Sequence, residues 1–184
     1  MDVKTTPDPG ARTILAIVAA VVGVAVAAQF SVAVPGSPVP QSLQTLAVVL
    51  VGAWLGPRWG AVALALYVAV GAMGVPVFAD GAAGAGHLTG PTVGYLAGFV
   101  AGAALMGWWV RTSWGWSLFG AFAGAVVAHF VILVLGWGRL VMLMGPVEAW
   151  EGGVAPFLWG GVAKSAVAAI AWAWLRRWVT APTK

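Results

Sequence analysis

The polar chemistry of this chain rests on a few residues set within long apolar runs. Lys164 is the first. It follows Gly160-Gly161-Val162-Ala163 and is the only charge between Glu151 and Arg176. The stretch reads as a helix over 156–178, which puts the lysine about 12 Å down it at 1.5 Å per residue. In hydrocarbon, a cation at that depth costs about 3 kcal/mol or more unless it is hydrated or paired. Two readings fit: the long stem carries the ammonium up to the interface, or the ammonium lines a wet or ligand-filled pocket and donates to a polar ligand. Asp80 is the second. It sits in the glycine-rich segment Pro76-Val77-Phe78-Ala79-Asp80-Gly81-Ala82-Ala83-Gly84, where it is either a turn residue or an acceptor held over a pocket for ligand N–H groups.

Gln41, Gln44 and Thr45 form the third group, at the start of an expected helix. Gln41 and Gln44 are three apart and share a face. Interface polarity, with Ser42 capping the helix, explains Gln41; for Gln44 and Thr45 that reading and a ligand role stand level. His129, mid-run, reads as a buried histidine bonding a neighbouring helix rather than as a proton relay or ligand contact. Tyr67 and Tyr95 serve packing and ligand binding equally well. The twelve tryptophans cluster near the ends of apolar runs, as in an aromatic belt.

Other chemistries lack their residues. There is no cysteine, hence no disulfide, thiolate metal site or cysteine nucleophile. The two histidines are far apart and make no metal cluster. The sequence contains no G-x-x-x-x-G-K-[ST], H-E-x-x-H or G-x-S-x-G, and its five carboxylates offer no convincing catalytic pair. The expectation is a chain with no catalytic residues, no metal and no cofactor. Uphill movement of a solute would then draw energy from a partner. A pI near 10.1 accompanies a net charge of only +4, and the basic residues sit at the ends of apolar runs, so they read as topology signals rather than a nucleic-acid stripe.

The elements that must hold these residues are membrane helices. Hydrophobic residues make up 61% of the chain and charged ones 8%, against about 25% charged in a soluble domain; mean hydropathy is +0.96. The apolar runs are long and continuous, unlike the alternating strands of a barrel. Residues 13–57, 59–79, 81–110 and 112–138 carry no charge, and a crossing takes about 20 apolar residues. Pro35-Gly36-Ser37-Pro38-Val39-Pro40 divides the first run, because proline removes a donor and fixes its backbone. Gly56-Pro57-Arg58-Trp59-Gly60 is a tight turn.

Six transmembrane helices follow, at 13–33, 42–55, 60–74, 91–110, 116–137 and 156–178, between tails 1–12 and 179–184. The first run lacks a compact polar cleavage region, so it reads as a span rather than a signal peptide. With the N-terminus in the cytoplasm, Lys4, Arg12, Arg58, Arg111, Arg176, Arg177 and Lys184 lie inside and Arg139 alone outside, which puts both termini in the cytoplasm. Outer loops 34–41, 75–90 and 138–155 then hold most of the irregular backbone. Irregular backbone near a membrane is tolerated where it lines a cavity, so a pocket open to the outside is expected. Small residues at spacing four on the first helix, Ala16 and Ala20 in one row and Gly23 in another, allow close approach of a partner helix.

Ordered motifs then point to a family. Pro38-Val39-Pro40-Gln41-Ser42-Leu43-Gln44-Thr45-Leu46, Leu55-Gly56-Pro57-Arg58-Trp59-Gly60, Gly74-Val75-Pro76-Val77-Phe78 and Gly90-Pro91-Thr92-Val93-Gly94-Tyr95-Leu96-Ala97-Gly98-Phe99 together resemble the BioY family over residues 13–178. BioY proteins are biotin-binding S components of energy-coupling factor (ECF) transporters. The resemblance implies a six-helix, S-component-like, multi-pass protein of the bacterial cell (inner) membrane. It implies biotin bound beneath the outer loops, by Lys164, Asp80, Gln44, Thr45, Tyr95, Thr92, Phe78 and Gly94. It also implies a coupling module of one transmembrane T component and two ATPase subunits, docked on the first-helix face of Ala16, Ala20 and Gly23; a homo-oligomer is a further option. The family commonly carries an acid three residues before the lysine; this chain has Gly161 there, and Asp80 is the acceptor left to compensate. The competing expectations are an S component for another small vitamin and a stand-alone secondary transporter.

Overall fold

The helices begin and end where glycine, proline and polar residues dictate. In the computed structural model, which describes residues 9–178, α1 spans Pro9–Gln29, with proline at its first position where no N–H is needed. The tail residues 1–8 and 179–184, and with them Lys4 and Lys184 of the charge count, lie outside the described residues. After α1 the chain makes a two-residue strand β1, Ser31–Val32, antiparallel to β2, Gln41–Ser42, with Ser31 opposite Ser42 and Val32 opposite Gln41. The proline cluster is the turn between them. The expected first helix, 13–33, therefore both starts and stops four residues early: Gln29 spends its amide on the chain's second loop rather than continuing the helix.

Helix α2 spans Gln44–Ala72 but reverses at Gly56, whose φ of 85° and ψ of 179° break the helix. Pro57 opens the second limb. The reversal is visible in the glycine contacts. A Cβ on Gly60 would come within 3.0 Å of the Gly52 Cα, although eight residues of straight helix span about 12 Å. The two limbs, 44–55 and 57–72, thus form a hairpin, and the turn is one residue rather than the five expected at 56–60. Arg111 covers it, donating to the carbonyls of Gly107 at 2.7 Å, Ala53 at 3.3 Å and Trp54 at 3.4 Å. Burial there lowers the guanidinium pKa from its ordinary value.

Helix α3 is Val93–Trp109, and α4, Leu118–Met144, starts at Ser117, whose Oγ accepts from the Gly120 N–H at 2.9 Å. The sequence expectation stopped this helix at 137 and left Arg139 in an outer loop. In the structure, Arg139 is helical and its guanidinium donates to the carbonyls of Thr89 and Gly90. Residues 140–144 are good helix formers, so α4 ends only at Gly145, with φ of 91°. The expected loop 138–155 is consequently mostly helix: the last turns of α4, then α5, Pro146–Gly153. Helix α6 is Leu158–Leu175, followed by a 3-10 turn at Arg176–Trp178.

The core divides lengthwise. Val24, Leu64, Tyr67, Tyr95, Phe99 and Ile132 pack toward one end; Val49, Met106, Val110, Ala125 and Trp172 pack toward the other. Glycines let α3 and α4 touch: a Cβ at Gly98 would overlap the Ile132 backbone. The exterior is apolar, with Leu15, Phe119, Phe130, Trp159 and Ile170 well exposed. Such a surface suits lipid, not water. The stretches Gly10–Gln29, Gln44–Ala72, Leu118–Met144 and Pro146–Leu175 are long and apolar enough to cross a membrane, and α3 is a shorter apolar helix. Arg12, Arg58, Arg111, Arg176 and Arg177 gather at one end of the bundle, where Arg176 also donates to the Trp116 carbonyl at 2.8 Å. Arg139 sits at the other end, among the irregular loops.

Candidate functional site

At the loop-rich end lies a cavity of about 310 Å³, the small end of the range for ligand pockets. Its walls come from α3 (Tyr95, Leu96, Phe99), α4 (His129, Ile132, Leu133) and α6 (Gly161, Lys164). Pro38–Ser42 and the loop from Phe78 to Ala82 close it, and Gln44 and Thr45 at the head of α2 complete the lining. The walls are apolar apart from a few side chains whose bonding is defined.

Lys164 lies six residues past Leu158, about 9 Å along α6. Among the described residues its ammonium reaches no carboxylate. It donates to the Ser42 carbonyl at 2.5 Å and the Thr45 Oγ1 at 3.2 Å. Both partners are neutral, and an ammonium has three N–H donors, so one remains. The strand β2 and the first turn of α2 each supply one acceptor to this cation: Ser42 offers its carbonyl while its Oγ accepts from the Gln44 N–H at 3.3 Å.

Gln44 is buried. Its Nε2 donates to the Tyr67 hydroxyl at 2.6 Å, and Tyr67 donates in turn to the Val77 carbonyl at 2.7 Å. The tyrosine proton is thereby committed, so the Gln44 nitrogen must face Tyr67 and its carbonyl oxygen is left as an acceptor at the cavity. The same chain of bonds anchors the loop at Val77. Next to it, the Phe78 ring stacks edge-on against Tyr67 and His87, with centroids 5.7 and 5.4 Å away, and lies over Gly71, where no Cβ would fit.

The loop is pinned at a second point. Gln29, the last residue of α1, donates to the Phe78 carbonyl and accepts from the Gly81 N–H, both at 3.1 Å. Asp80 takes a left-handed conformation, φ 59°, and its carboxylate accepts from the Ser31 hydroxyl at 2.5 Å. On the far wall, the Tyr95 hydroxyl donates to the Gly153 carbonyl at 2.6 Å, tying α3 to α5. His129 Nδ1 lies 2.9 Å from the Ala125 carbonyl and 3.1 Å from Ser165 Oγ on α6, so the expected bond to a neighbouring helix exists.

Comparison with known proteins identifies the lineage. The model described as the BioY family matches residues 1–181. The chain belongs to the BioY family. A biotin transporter BioY of Thermotoga maritima is 39% identical over 142 residues, which is 76% of this chain and 82% of that protein. Another, from Rhodobacter capsulatus, is 34% identical over 169 residues, 84% of this chain and 87% of that one. In three dimensions the chain is similar to the crystal structure of the S-component for biotin from an ECF-type ABC transporter, with TM-score 0.81, 18% identity and coverage of 94% of this chain and 95% of that one.

Against this BioY fold the expected site residues sort plainly. Lys164, Asp80, Gln44, Thr45, Tyr95, Thr92 and Phe78 all line the cavity. Gly94 does not: it lies in the α3–α4 interface, where a Cβ would strike the Leu135 carbonyl and the Gly136 Cα. Of the residues expected to dock a partner, Ala20 is buried in the protein's own core, Ala16 is partly covered, and Gly23 is exposed with open space beside it. Gln41, read from sequence as interface polarity, also lines the cavity, as do His87, Phe99 and Phe157. Nothing in their spacing marks those last three; the folding of the 74–92 loop brings His87 in.

Asp80 has a dual position, at the cavity rim and latched to Ser31. Asp80→Ala is expected to weaken ligand binding about tenfold by loss of a rim acceptor and of the latch. Ser31→Ala removes the latch alone and should cost less. Equal affinities of both variants and the parent chain in an equilibrium titration would exclude a role for this rim.

Proposed function

We propose that this chain captures biotin at the outer face of the membrane, as the substrate-binding subunit of an ECF-type vitamin transporter. The observation that carries the reading is the ammonium of Lys164, with one N–H still unpaired, at a largely apolar cavity. It sits within a chain whose relatives are named biotin transporters and whose fold matches an S-component for biotin. The ligand has the complementary chemistry: an apolar thioether ring, a ureido group with two N–H donors and one carbonyl, and a carboxylate tail. One free ammonium N–H and the Gln44 carbonyl oxygen meet donors and acceptors of that kind.

In the membrane the two limbs of α2 count separately, giving six crossings by α1, both limbs, α3, α4 and α6. The first limb is about 18 Å long at 1.5 Å per residue, shorter than a hydrocarbon core of about 30 Å. The β1–β2 segment fills the remainder, as irregular backbone does where it lines a cavity. The arginine-rich end faces the cytoplasm, which places both termini inside and the cavity outside, in the bacterial inner membrane. Transport energy comes from a T component and two ATPases. The chain itself performs no covalent chemistry and needs no cofactor.

Two measurements test this. Purified chain is titrated with biotin against a panel of other vitamins; selective, saturable biotin binding is expected, and preference for another vitamin would replace the ligand. Proteoliposomes holding the chain alone should not concentrate biotin, whereas those with the coupling subunits and internal ATP should. Accumulation driven by an ion gradient without ATPases would make it a stand-alone transporter.

A further inference from the structure

His129 carries a polar atom that the fold leaves unused. The residue is 5% exposed, and its ring lines the cavity beside Gly161 and Lys164. Its tautomer is fixed by what surrounds Nδ1. The Ala125 carbonyl, 2.9 Å away, can only accept, so Nδ1 carries the proton. Ser165 Oγ donates to the Gly161 carbonyl at 2.8 Å; its proton is spent there, and at 3.1 Å it too can only accept from Nδ1–H. Nε2 is therefore the bare lone pair of a neutral imidazole. A doubly protonated ring would instead bury an unpaired cationic N–H, a costlier arrangement.

Nε2 is buried and has no hydrogen-bond partner among the described residues. An unpaired buried acceptor is expensive to keep, and phenylalanine or leucine would fill this site in an apolar bundle without that cost. The neighbouring position on α6 is Gly161, where a Cβ would stand in ordinary van der Waals contact, 3.8 Å from the His129 Cβ and 4.0 Å from Cδ2. Among the described residues no side chain pairs with the lone pair. The same helix supplies Ser165, one turn on, to hold the opposite nitrogen. A ring held from behind, with a buried and unpaired acceptor on a residue that lines a cavity also holding a donor, is suited to reading an N–H on the occupant.

We propose that His129 is a specificity-determining residue that accepts a hydrogen bond through Nε2 from a ureido N–H of the bound ligand. This rests on the biotin reading above. The ureido group then meets acceptors from two sides, Gln44 and His129, and a carbonyl or carboxylate of the ligand meets the Lys164 donor. The site would reject otherwise similar rings that present a lone pair or a methyl group where biotin presents that N–H, because either leaves Nε2 unpaired or crowded.

The test uses the full chain in detergent and two probes besides biotin, one methylated at each ureido nitrogen. Wild-type chain should bind biotin and bind one of the methylated forms roughly 10- to 100-fold more weakly through loss of this bond. His129→Phe keeps the ring shape without the acceptor. It should lose a similar factor for biotin and no longer distinguish biotin from that one methylated form, while still rejecting the other. His129→Gln, which returns an acceptor near Nε2, should recover part of the preference. Should the variants fold poorly, the imidazole 15N signals of wild-type chain serve instead. With only two histidines in the sequence, the His129 Nε2 signal is readily assigned, and it should shift on biotin addition while Nδ1 stays protonated. Biotin binding by wild-type chain, with His129→Phe unchanged in affinity and in its preference among the three probes, or an Nε2 signal indifferent to biotin, overturns the His129 contact alone. Failure of wild-type chain to bind biotin overturns the ligand reading, and this contact with it.

Discussion

Lys164→Ala is expected to lower biotin affinity roughly 100-fold or more, the range for removing one side of a buried charge-assisted hydrogen bond. The same change should leave the ligand-free protein no less stable. In the free protein the ammonium bears a desolvation cost against two neutral acceptors, Ser42 and Thr45, and carries no ion pair that truncation would break. Two signs are thus expected from one substitution: affinity falls while the thermal midpoint without ligand holds or rises. Lys164→Met sharpens the test by keeping the apolar stem and deleting only the charge. If the methionine variant bound biotin within about threefold of the parent in an equilibrium titration, less than 1 kcal/mol, the lysine would be a packing residue and the cavity would need another anchor.

Much of this architecture was legible because charge is so scarce. Arg58, Arg111 and Arg176 mark the helix ends they were expected to mark, and each sits where carbonyls or aromatic faces of the turns can hold it, as Arg58 does over the Trp59 ring at 4.9 Å. The proline cluster at 35–40 turns the chain as its fixed backbone requires. The cavity lies where the irregular segments converge, because unpaired backbone groups in a membrane need a polar lining or each other. Lys164 stood out for the same reason: a lone cation in an apolar run has few stable surroundings.

What remained hidden depends on contacts between distant segments. Arg139 looked like a loop residue, yet the Thr89 and Gly90 carbonyls satisfy it within α4, and those carbonyls are free only because the 74–92 loop folds back. Gly94 belonged to a motif that points at the site, but the glycine serves helix approach while its neighbours Thr92 and Tyr95 reach the cavity. Ala16 and Ala20 share a row on the helix, and the sequence offers no sign that Ala20 is already covered from within. The acceptor on His129 depends on a tautomer set by the Ala125 carbonyl one turn back and matched by Ser165, thirty-six positions away. Small residues are so abundant here that spacing alone does not separate the glycines that matter from those that do not.

Gly107 is one that matters, and its replacement by alanine should cost about 3 kcal/mol of stability, the upper part of the usual overpacking range. A Cβ there would run into the backbone of the α2 reversal: the Gly56 carbonyl carbon, the Pro57 nitrogen at 2.5 Å and the Gly52 carbonyl oxygen at 2.7 Å. Backbone cannot rotate away as a side-chain tip can, and this stretch is doubly constrained. Gly56 already holds a φ of 85°, and Arg111 clamps Ala53 and Trp54 on the adjoining turn. The added methyl must therefore push α3 away from the hairpin or open the hairpin itself. For a domain of this size the thermal midpoint should fall by about 10 °C, read by intrinsic fluorescence in detergent. Gly23→Ala is the control, since a Cβ there meets nothing within 4 Å; in a helix interior it should be neutral or stabilise by up to about 1 kcal/mol. The reversal is at the opposite end of the bundle from the cavity, so the Gly107→Ala protein that does fold should bind biotin with parental affinity, and biotin should raise its midpoint by the same increment. A variant as stable as the parent would mean that α3 and the hairpin are not in contact at this depth; a stable variant with weakened binding would mean that the hairpin turn and the cavity move together.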